Sequence, residues 1–250
     1  MNTKYFDSIE LKEMDKVKLM NRTDHKFWFH GAYLPDLLKQ VEEDYYLLHI
    51  DGEYQLPYAT TYYDTKKNFM FSAHHNGKLN RFKIRRRSYV NSGISFLEIK
   101  FKNNKGRTIK KRIPSTQSYS EFTSTEDQFI NSKTPFSAAE LKPSLENKFT
   151  RLTLVNKNFK ERCTIDLNIE FEVSNSIVSL DNLVIVEIKS DGKSSSSPLG
   201  LALRKNRIKN NGFSKYCVGR SMTNPNLKQN AFKAKIRNIE KVTQTNYQLI

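Results

Sequence analysis

Several short segments of this chain alternate a cation with an apolar residue, and two-residue spacing puts the cations of each on one face of a strand. Residues 81–87 set Lys83, Arg85 and Arg87 against Phe82 and Ile84. Residues 97–102 set Glu98, Lys100 and Lys102 against Leu97, Ile99 and Phe101. Lys110 and Arg112 alternate with Ile109 and Ile113, and Arg151 and Thr153 with Leu152 and Leu154. Such rows suit anions. Arginine forks onto phosphate oxygens through two parallel hydrogen bonds, and lysine supplies a point charge. An acid two residues before a lysine recurs at Asp24 and Lys26, at Glu98 and Lys100, and at Glu187 and Lys189. A carboxylate amid cations can hold Mg²⁺ or Mn²⁺ against phosphate oxygens, or close a cross-strand ion pair. Any one of these faces also reads as the wet side of a one-sided antiparallel sheet. Together they are nearly all cationic, whereas solvated faces mix both signs.

The elements that carry these residues are mostly strands. The longest alternation runs over 162–173, with Cys163, Ile165, Leu167, Ile169, Phe171 and Val173 on one face. Arg162, Thr164, Asp166, Asn168, Glu170 and Glu172 lie on the other. Further strands are expected over 22–29, 45–50, 59–64 and 183–189. Leu34, Leu37, Leu38 and Val41 share one face of a short amphipathic helix, and a second helix is expected over 121–130. A third has Ser197 as its N-cap, Pro198 at its first position and Gly212 just past its end. Beyond Met222 a polar tail follows, helical in part.

This pattern predicts an α+β fold: an antiparallel β-barrel of about eight strands forming a tunnel, with a few flanking helices. One domain is expected over 1–250, with its core at about 20–220. If the cationic faces converge inside, repulsion matters, because two like charges about 4 Å apart cost ~4 kcal/mol at an effective dielectric of 20. Such a lumen needs water, carboxylates or a polyanion. A barrel of that size holds one small ligand, and a phosphate chain is thin, extended and multiply charged.

Composition agrees. The formal net charge is +16, so the partners should be anionic. Apolar residues make up 37 %, which leaves polar residues to occupy interior positions, while 12 % aromatics argue for a packed core over disorder. Two cysteines are too few for a disulfide framework. The first residues lack the apolar run of a signal peptide, and no stretch has the length of a membrane helix. A cytoplasmic location is therefore expected.

In this context seven segments, in order over about residues 22–216, resemble the vacuolar transporter chaperone (VTC) type polyphosphate polymerase domain of the triphosphate tunnel metalloenzymes. They are Arg22-Thr23-Asp24-His25-Lys26-Phe27, Thr61-Tyr62-Tyr63-Asp64, Lys83-Ile84-Arg85-Arg86-Arg87-Ser88-Tyr89, Leu97-Glu98-Ile99-Lys100, Arg162-Cys163-Thr164-Ile165-Asp166, Val186-Glu187-Ile188-Lys189 and Phe213-Ser214-Lys215-Tyr216. The resemblance implies a tunnel in which Lys26, Arg85, Arg87, Lys100, Arg151, Arg162 and Lys215 form the catalytic set on the phosphates. Arg22, Lys83, Lys102, Lys110, Arg112, Lys189, Ser214 and Tyr216 would bind substrate around them. Glu187, with Glu98 and Asp24, would carry Mn²⁺ or Mg²⁺. The implied reaction moves the terminal phosphoryl group of ATP to a growing polyphosphate chain, or to water. Many members of the wider superfamily open with Glu-x-Glu-x-Lys. Here Arg22, Asp24 and Lys26 stand at those positions, and the lost acid favours the polymerase branch over a two-metal hydrolase. Polymerases of this kind work beside a membrane channel, so a separate membrane-protein partner is also implied.

Other signals carry less. Gly192-Lys193-Ser194 lacks the earlier glycine of a P-loop, since Glu187 stands there. Neighbouring His74 and His75 would point apart on a strand. Cys163 sits on an apolar face, as a buried structural thiol does. Trp28 shares the parity of Lys26 and either borders the ligand path or packs in the core. The rival functions are a tunnel-fold triphosphatase or tripolyphosphatase, and a non-catalytic module for polyphosphate or nucleic acid. Base stacking is disfavoured because Phe82 and Phe101 lie opposite the cations.

Overall fold

Strands with charged inner positions and apolar outer ones must bury the outer face, and helices supply the cover. The computed structural model describes residues 6–17, 23–115, 121–174, 176–190 and 197–244. Arg22 and the Gly192-Lys193-Ser194 segment lie outside them. The strands are β1 (Asp7–Glu10), β2 (Thr23–His30), β3 (Tyr45–His49), β4 (Leu56–Thr65), β5 (Arg81–Tyr89), β6 (Ile94–Lys102), β7 (Thr108–Ser115), β8 (Leu141–Asn156), β9 (Glu161–Val173), β10 (Ser176–Leu180) and β11 (Leu183–Ser190). The helices are α1 (Leu34–Lys39), α2 (Phe69–His75), α3 (Ser124–Lys133), α4 (Pro198–Lys205), α5 (Lys215–Thr223) and α6 (Asn230–Thr243).

Eight strands form one continuous path, β2-β11-β9-β8-β4-β5-β6-β7, with every neighbouring pair antiparallel. β3 and β10 flank it on β8 and β9, and β1 pairs parallel with β3. The sheet curls into a tunnel as the alternation predicts. Its two end strands, β2 and β7, are not joined by a ladder among the described residues, so the barrel is open along one seam. On the outer face Phe27 and Phe29 of β2, Val186 and Ile188 of β11, and Leu152 and Leu154 of β8 are buried under α1 and α4. Leu37 and Leu203 anchor those two helices at 1 % and 0 % exposure. Each such side chain contributes roughly 1.5–3 kcal/mol.

Two of the expected elements depart from the sequence expectation for identifiable reasons. The alternation over 162–173 is broken by a bulge: Asn168 takes the left-handed region at φ 50°, and the β8–β9 register shifts between Lys148 and Thr150. One extra residue reverses every later side chain. Cys163 and Ile165 therefore pack outside with α1 and α4, while Ile169 and Phe171 join the other core cluster. The third helix stops at Lys205, not near Gly212. Arg207 adopts φ 58°, its N–H bonds Arg204 O at 2.9 Å and the Ile208 N–H bonds Leu203 O at 2.9 Å, which is a Schellman end built without glycine. The polar tail contains α6, whose Phe232, Ile236 and Ile239 are buried.

α5 lies against the bulged parts of β8 and β9. A Cβ at Gly219 would come within 2.5 Å of Phe171 and 2.7 Å of Leu145, so only glycine allows that approach. On the opposite limb, the outward residue of the basic Arg85-Arg86-Arg87 run is fully buried. Arg86 donates to Glu126 at 2.9 Å, to Tyr63 Oη at 2.9 Å and to Ser115 Oγ at 2.7 Å. Removing one partner of a buried ion pair costs about 3–5 kcal/mol. Arg86→Met should therefore lower the unfolding free energy by that amount in a urea titration, with the m-value unchanged.

Candidate functional site: a cation-lined tunnel

The ladders bring the predicted cations into rows. Lys83 of β5 lies opposite Lys100 of β6, which lies opposite Lys110 of β7. Like charges set directly across from one another are destabilising, so this row is a cost to the fold that a ligand would relieve. On the other wall Lys26 faces Glu187, and Lys189 stands between Asp24 and Arg162. Arg151 lies opposite Asp166. From below, α5 presents its first turn, where Ser214 caps the helix, accepting from the Cys217 N–H at 3.3 Å and from Lys83 Nζ at 3.0 Å. The helix N-terminus adds further positive potential.

These residues surround a cavity of about 450 Å³. Eleven lysines and arginines line it against three carboxylates, Asp24, Asp166 and Glu187. Of the residues predicted from sequence, Asp24, Lys26, Lys83, Arg85, Arg87, Lys100, Lys110, Arg112, Arg151, Arg162, Glu187, Lys189, Ser214, Lys215 and Tyr216 are all in its wall. Lys102 is not. It pairs with Arg81, one step beyond the Lys83–Lys100 pair. Glu98 lies beneath the wall at 0 % exposure, with its oxygens engaged by Arg85 at 2.6 Å and by Lys110. That makes it a counter-charge within the lining.

Sequence reasoning missed one central residue. Asp166 is 4 % exposed and takes a bidentate bond from Arg151 at 2.6 and 2.8 Å, with Lys215 on the same carboxylate. Its parity with Arg162 and Thr164 was the available signal. Also unforeseen are the aromatic rings beneath the cations: Lys215 lies 3.8 Å over Phe149, and Arg151 5.0 Å over Tyr58. Tyr62 stacks obliquely on Tyr216, whose hydroxyl donates to Asp64 at 2.5 Å. Asp64 in turn accepts the Met70 and Phe71 N–H groups at 2.9 Å, tying the start of α2 to the tunnel wall. Leu11 and Met14, in a 3₁₀ turn at Leu11–Lys16, also border the cavity. Trp28 packs edge-on against Phe213, and His74 sits on α2 with its basicity pushed down to about 2 by burial and by Lys83, Arg81 and Lys102.

Electrostatics show a lumen short of negative charge. Burial pushes Lys215 down to about 7 against the pull of Asp166, and pushes Lys83 and Lys110 each down to about 8. Arg85, with burial second, drives Lys100 well below its usual range. Burial alone would raise Glu187, yet Lys189, Lys26 and Lys100 overcome it and hold the carboxylate well below its ordinary value. A bound polyanion would restore the lysines' protons. The complex gains that stabilisation in full below the free-state values near 7–8 and loses it as pH rises toward the bound-state values. Tripolyphosphate binding should accordingly weaken between pH 7 and 9, by up to about tenfold per pH unit for each lysine that takes up a proton. Calorimetry in buffers of different ionisation enthalpy would read the proton uptake directly.

A divalent metal fits on one condition. Among the described residues no three His, Cys, Asp or Glu side chains converge as a preformed site. Glu187 projects into the cavity with Lys189 at 3.1 Å and Lys26 at 3.8 Å, and Asp24 also lines it. Mg²⁺ is ordinarily held by one or two carboxylates plus substrate phosphates, and this donor set suits an ion that arrives with the phosphate chain.

A family model described as the VTC domain matches residues 21–224. Among solved structures, a Bacillus halodurans protein described as a candidate adenylate cyclase superposes with a TM-score of 0.51 at 12 % identity, over 78 % of this chain and 96 % of that one. A candidate adenylyl cyclase from Hippeastrum, described as having a dominant triphosphatase activity, gives 0.51 at 13 % identity, over 81 % of this chain and 96 % of that one. At those identities the likeness carries the fold. None of the curated proteins matches the chain significantly.

Proposed function

This chain belongs to the VTC domain family, and from that premise we propose that it transfers the terminal phosphoryl group of ATP to the end of an inorganic polyphosphate chain held in the tunnel. The observation that carries the reading is the excess of lining cations over carboxylates in a cavity of about 450 Å³. A ligand that neutralises it must be narrow and bear many charges along its length.

In the transfer, a terminal oxygen of the polyphosphate attacks the γ-phosphorus, the bond to the β-phosphate oxygen breaks, and ADP leaves with that electron pair. The attacking oxygen is already ionised, so no side chain need remove a proton. The protein's part is to align the reacting groups and neutralise spreading charge. Lys26, Arg85, Arg87, Lys100, Arg151, Arg162 and Lys215, all in the cavity wall, would do both. Lys83, Lys110, Arg112, Lys189, Ser214 and Tyr216 extend the lining. Glu187, with Asp24 beside it on the neighbouring strand, would hold Mn²⁺ or Mg²⁺, which when bound neutralises phosphate oxygens as a Lewis acid. Tyr62 and Tyr216 keep Arg85 and the start of α5 in place.

The second reading is hydrolysis, with water in place of the polyphosphate end. The triphosphatase activity described for the Hippeastrum protein favours it. Incubation with ATP and Mn²⁺, followed by a polyphosphate-staining gel, separates the two. A ladder lost in Lys100→Ala and Glu187→Gln supports polymerisation, and free phosphate without a ladder means hydrolysis. No helix among the described residues is long and apolar enough to cross a membrane.

A further inference from the structure

We propose that a second, basic groove beside β2, an end strand of the sheet, continues the tunnel outward and carries polyphosphate too long for the tunnel to hold. The proposal rests on the polyanion reading of the tunnel and adds a site outside it. The groove has a volume of about 620 Å³. Trp28, Phe29, Tyr33, Ile208 and Val242 give it apolar surface, and Arg207, Lys209 and Lys241 supply its charges. No carboxylate lines it. Arg207, Lys209 and Lys241 are exposed, and none of the three takes part in an ion pair among the described residues. Unneutralised cations of one sign around a concave surface focus the field toward anions.

Groove and tunnel adjoin at Lys26. The Asn211 N–H donates to Lys26 O at 2.7 Å, and Asn211 is itself part of the groove wall. Lys235 donates to Asn211 Oδ1 at 2.8 Å and to Gly212 O, and its ammonium lies 5.9 Å from the centre of the Trp28 ring. Along α6, Lys235, Asn238 and Lys241 follow at three-residue spacing, so they neighbour one another on the helix surface. Asn238 and Lys241 line the groove, and Lys235 reaches the chain at Gly212, just before Phe213 of the tunnel wall. The partition between the two spaces is an aromatic pair: Phe213 lines the tunnel, Trp28 lines the groove, and the rings meet edge-on at 6.4 Å.

Arg207 supports the same assignment. It occupies the left-handed position that ends α4, where glycine is the usual choice. A glycine there would relax the backbone and remove one of the groove's three exposed cations. An elongating chain must leave the tunnel as it grows, whereas a hydrolase acting on triphosphate has no need of an outer track.

The test compares tripolyphosphate with a chain of several tens of phosphates on the wild type and on the triple variant Arg207→Gln, Lys209→Gln, Lys241→Gln. The expected result is an unchanged melting temperature, tripolyphosphate affinity within about twofold of wild type, and long-chain affinity weaker by about tenfold or more. Equal long-chain affinities would overturn the proposal, as would an equal loss for both ligands, since that marks a general field effect. Binding to anionic phospholipid vesicles that the triple variant loses, with both phosphate affinities intact, would assign the groove to a membrane surface and also overturn it. Failure of the wild type to bind tripolyphosphate would count against the tunnel reading itself and shows up separately.

Discussion

Glu187→Gln is expected to lower metal-dependent transfer from ATP by about 10²–10³-fold, the loss of several kcal/mol of transition-state charge stabilisation, while polyphosphate binding holds or tightens. The two effects have opposite signs because of where Glu187 stands. Its carboxylate is the one acid on β11, with Lys189 and Lys26 as its ion-pair partners. The amide removes a negative charge from a cavity already dominated by cations, so an anionic chain meets less repulsion. On the proposed function it also replaces with an NH2 group one of the carboxylate oxygens that would hold a divalent ion against phosphate. Steady-state kcat read beside a tripolyphosphate dissociation constant separates these contributions. A variant that turns over normally but binds weakly would assign Glu187 to substrate contact and take the metal from it.

Asp166→Asn should act mainly on the protein itself. Arg151 is half-clamped by Asp166 and half-seated on Tyr58 and Phe149, and Lys215 shares the same carboxylate. Burial would raise the Asp166 pKa, but Arg151 and Lys215 overcome it and hold the carboxyl well below its usual range. A depressed carboxylate contributes stability that is present above its unfolded value near 4 and lost as pH falls through the folded value. The asparagine forfeits that contribution at neutral pH and leaves two buried cations without their counter-charge. A loss of about 3–5 kcal/mol is expected in urea at pH 7. Tripolyphosphate supplies the missing negative charge, so the variant should recover more stability on adding it than the wild type does. A destabilisation below about 1 kcal/mol, or no extra recovery, would mean that Asp166 does not carry the balance of this wall.

Much of this site was legible because period-two alternation survives wherever a strand is straight. Lys83, Arg85 and Arg87, then Lys110 and Arg112, then Glu187 and Lys189, all lie on the predicted face and all reach the cavity. Legibility ends where the chain bends. The bulge at Asn168 reverses Ile169 and Phe171, and nothing in an unbroken run of alternating residues marks where the extra one falls. α2 and α5 went unread because their helices are held by tertiary contacts. Asp64 satisfies the first N–H groups of α2 from the preceding strand, and Gly219 sits mid-helix only because two side chains pack against it. Glu98 shows a further limit. Parity placed it correctly on the inner face, but only the packing reveals that Arg85 and Lys110 already use its charge.

The tunnel's claim to a polyanion is tested most directly by calorimetric titration of tripolyphosphate into the wild type and into Lys100→Ala and Arg87→Ala. One-to-one binding to the wild type is predicted, with each substitution weakening it by about tenfold or more, the expected loss of a charge-assisted contact. Unaltered affinity in both variants, or no binding to the wild type, would contradict the account and place the chain's anionic partner elsewhere on its surface.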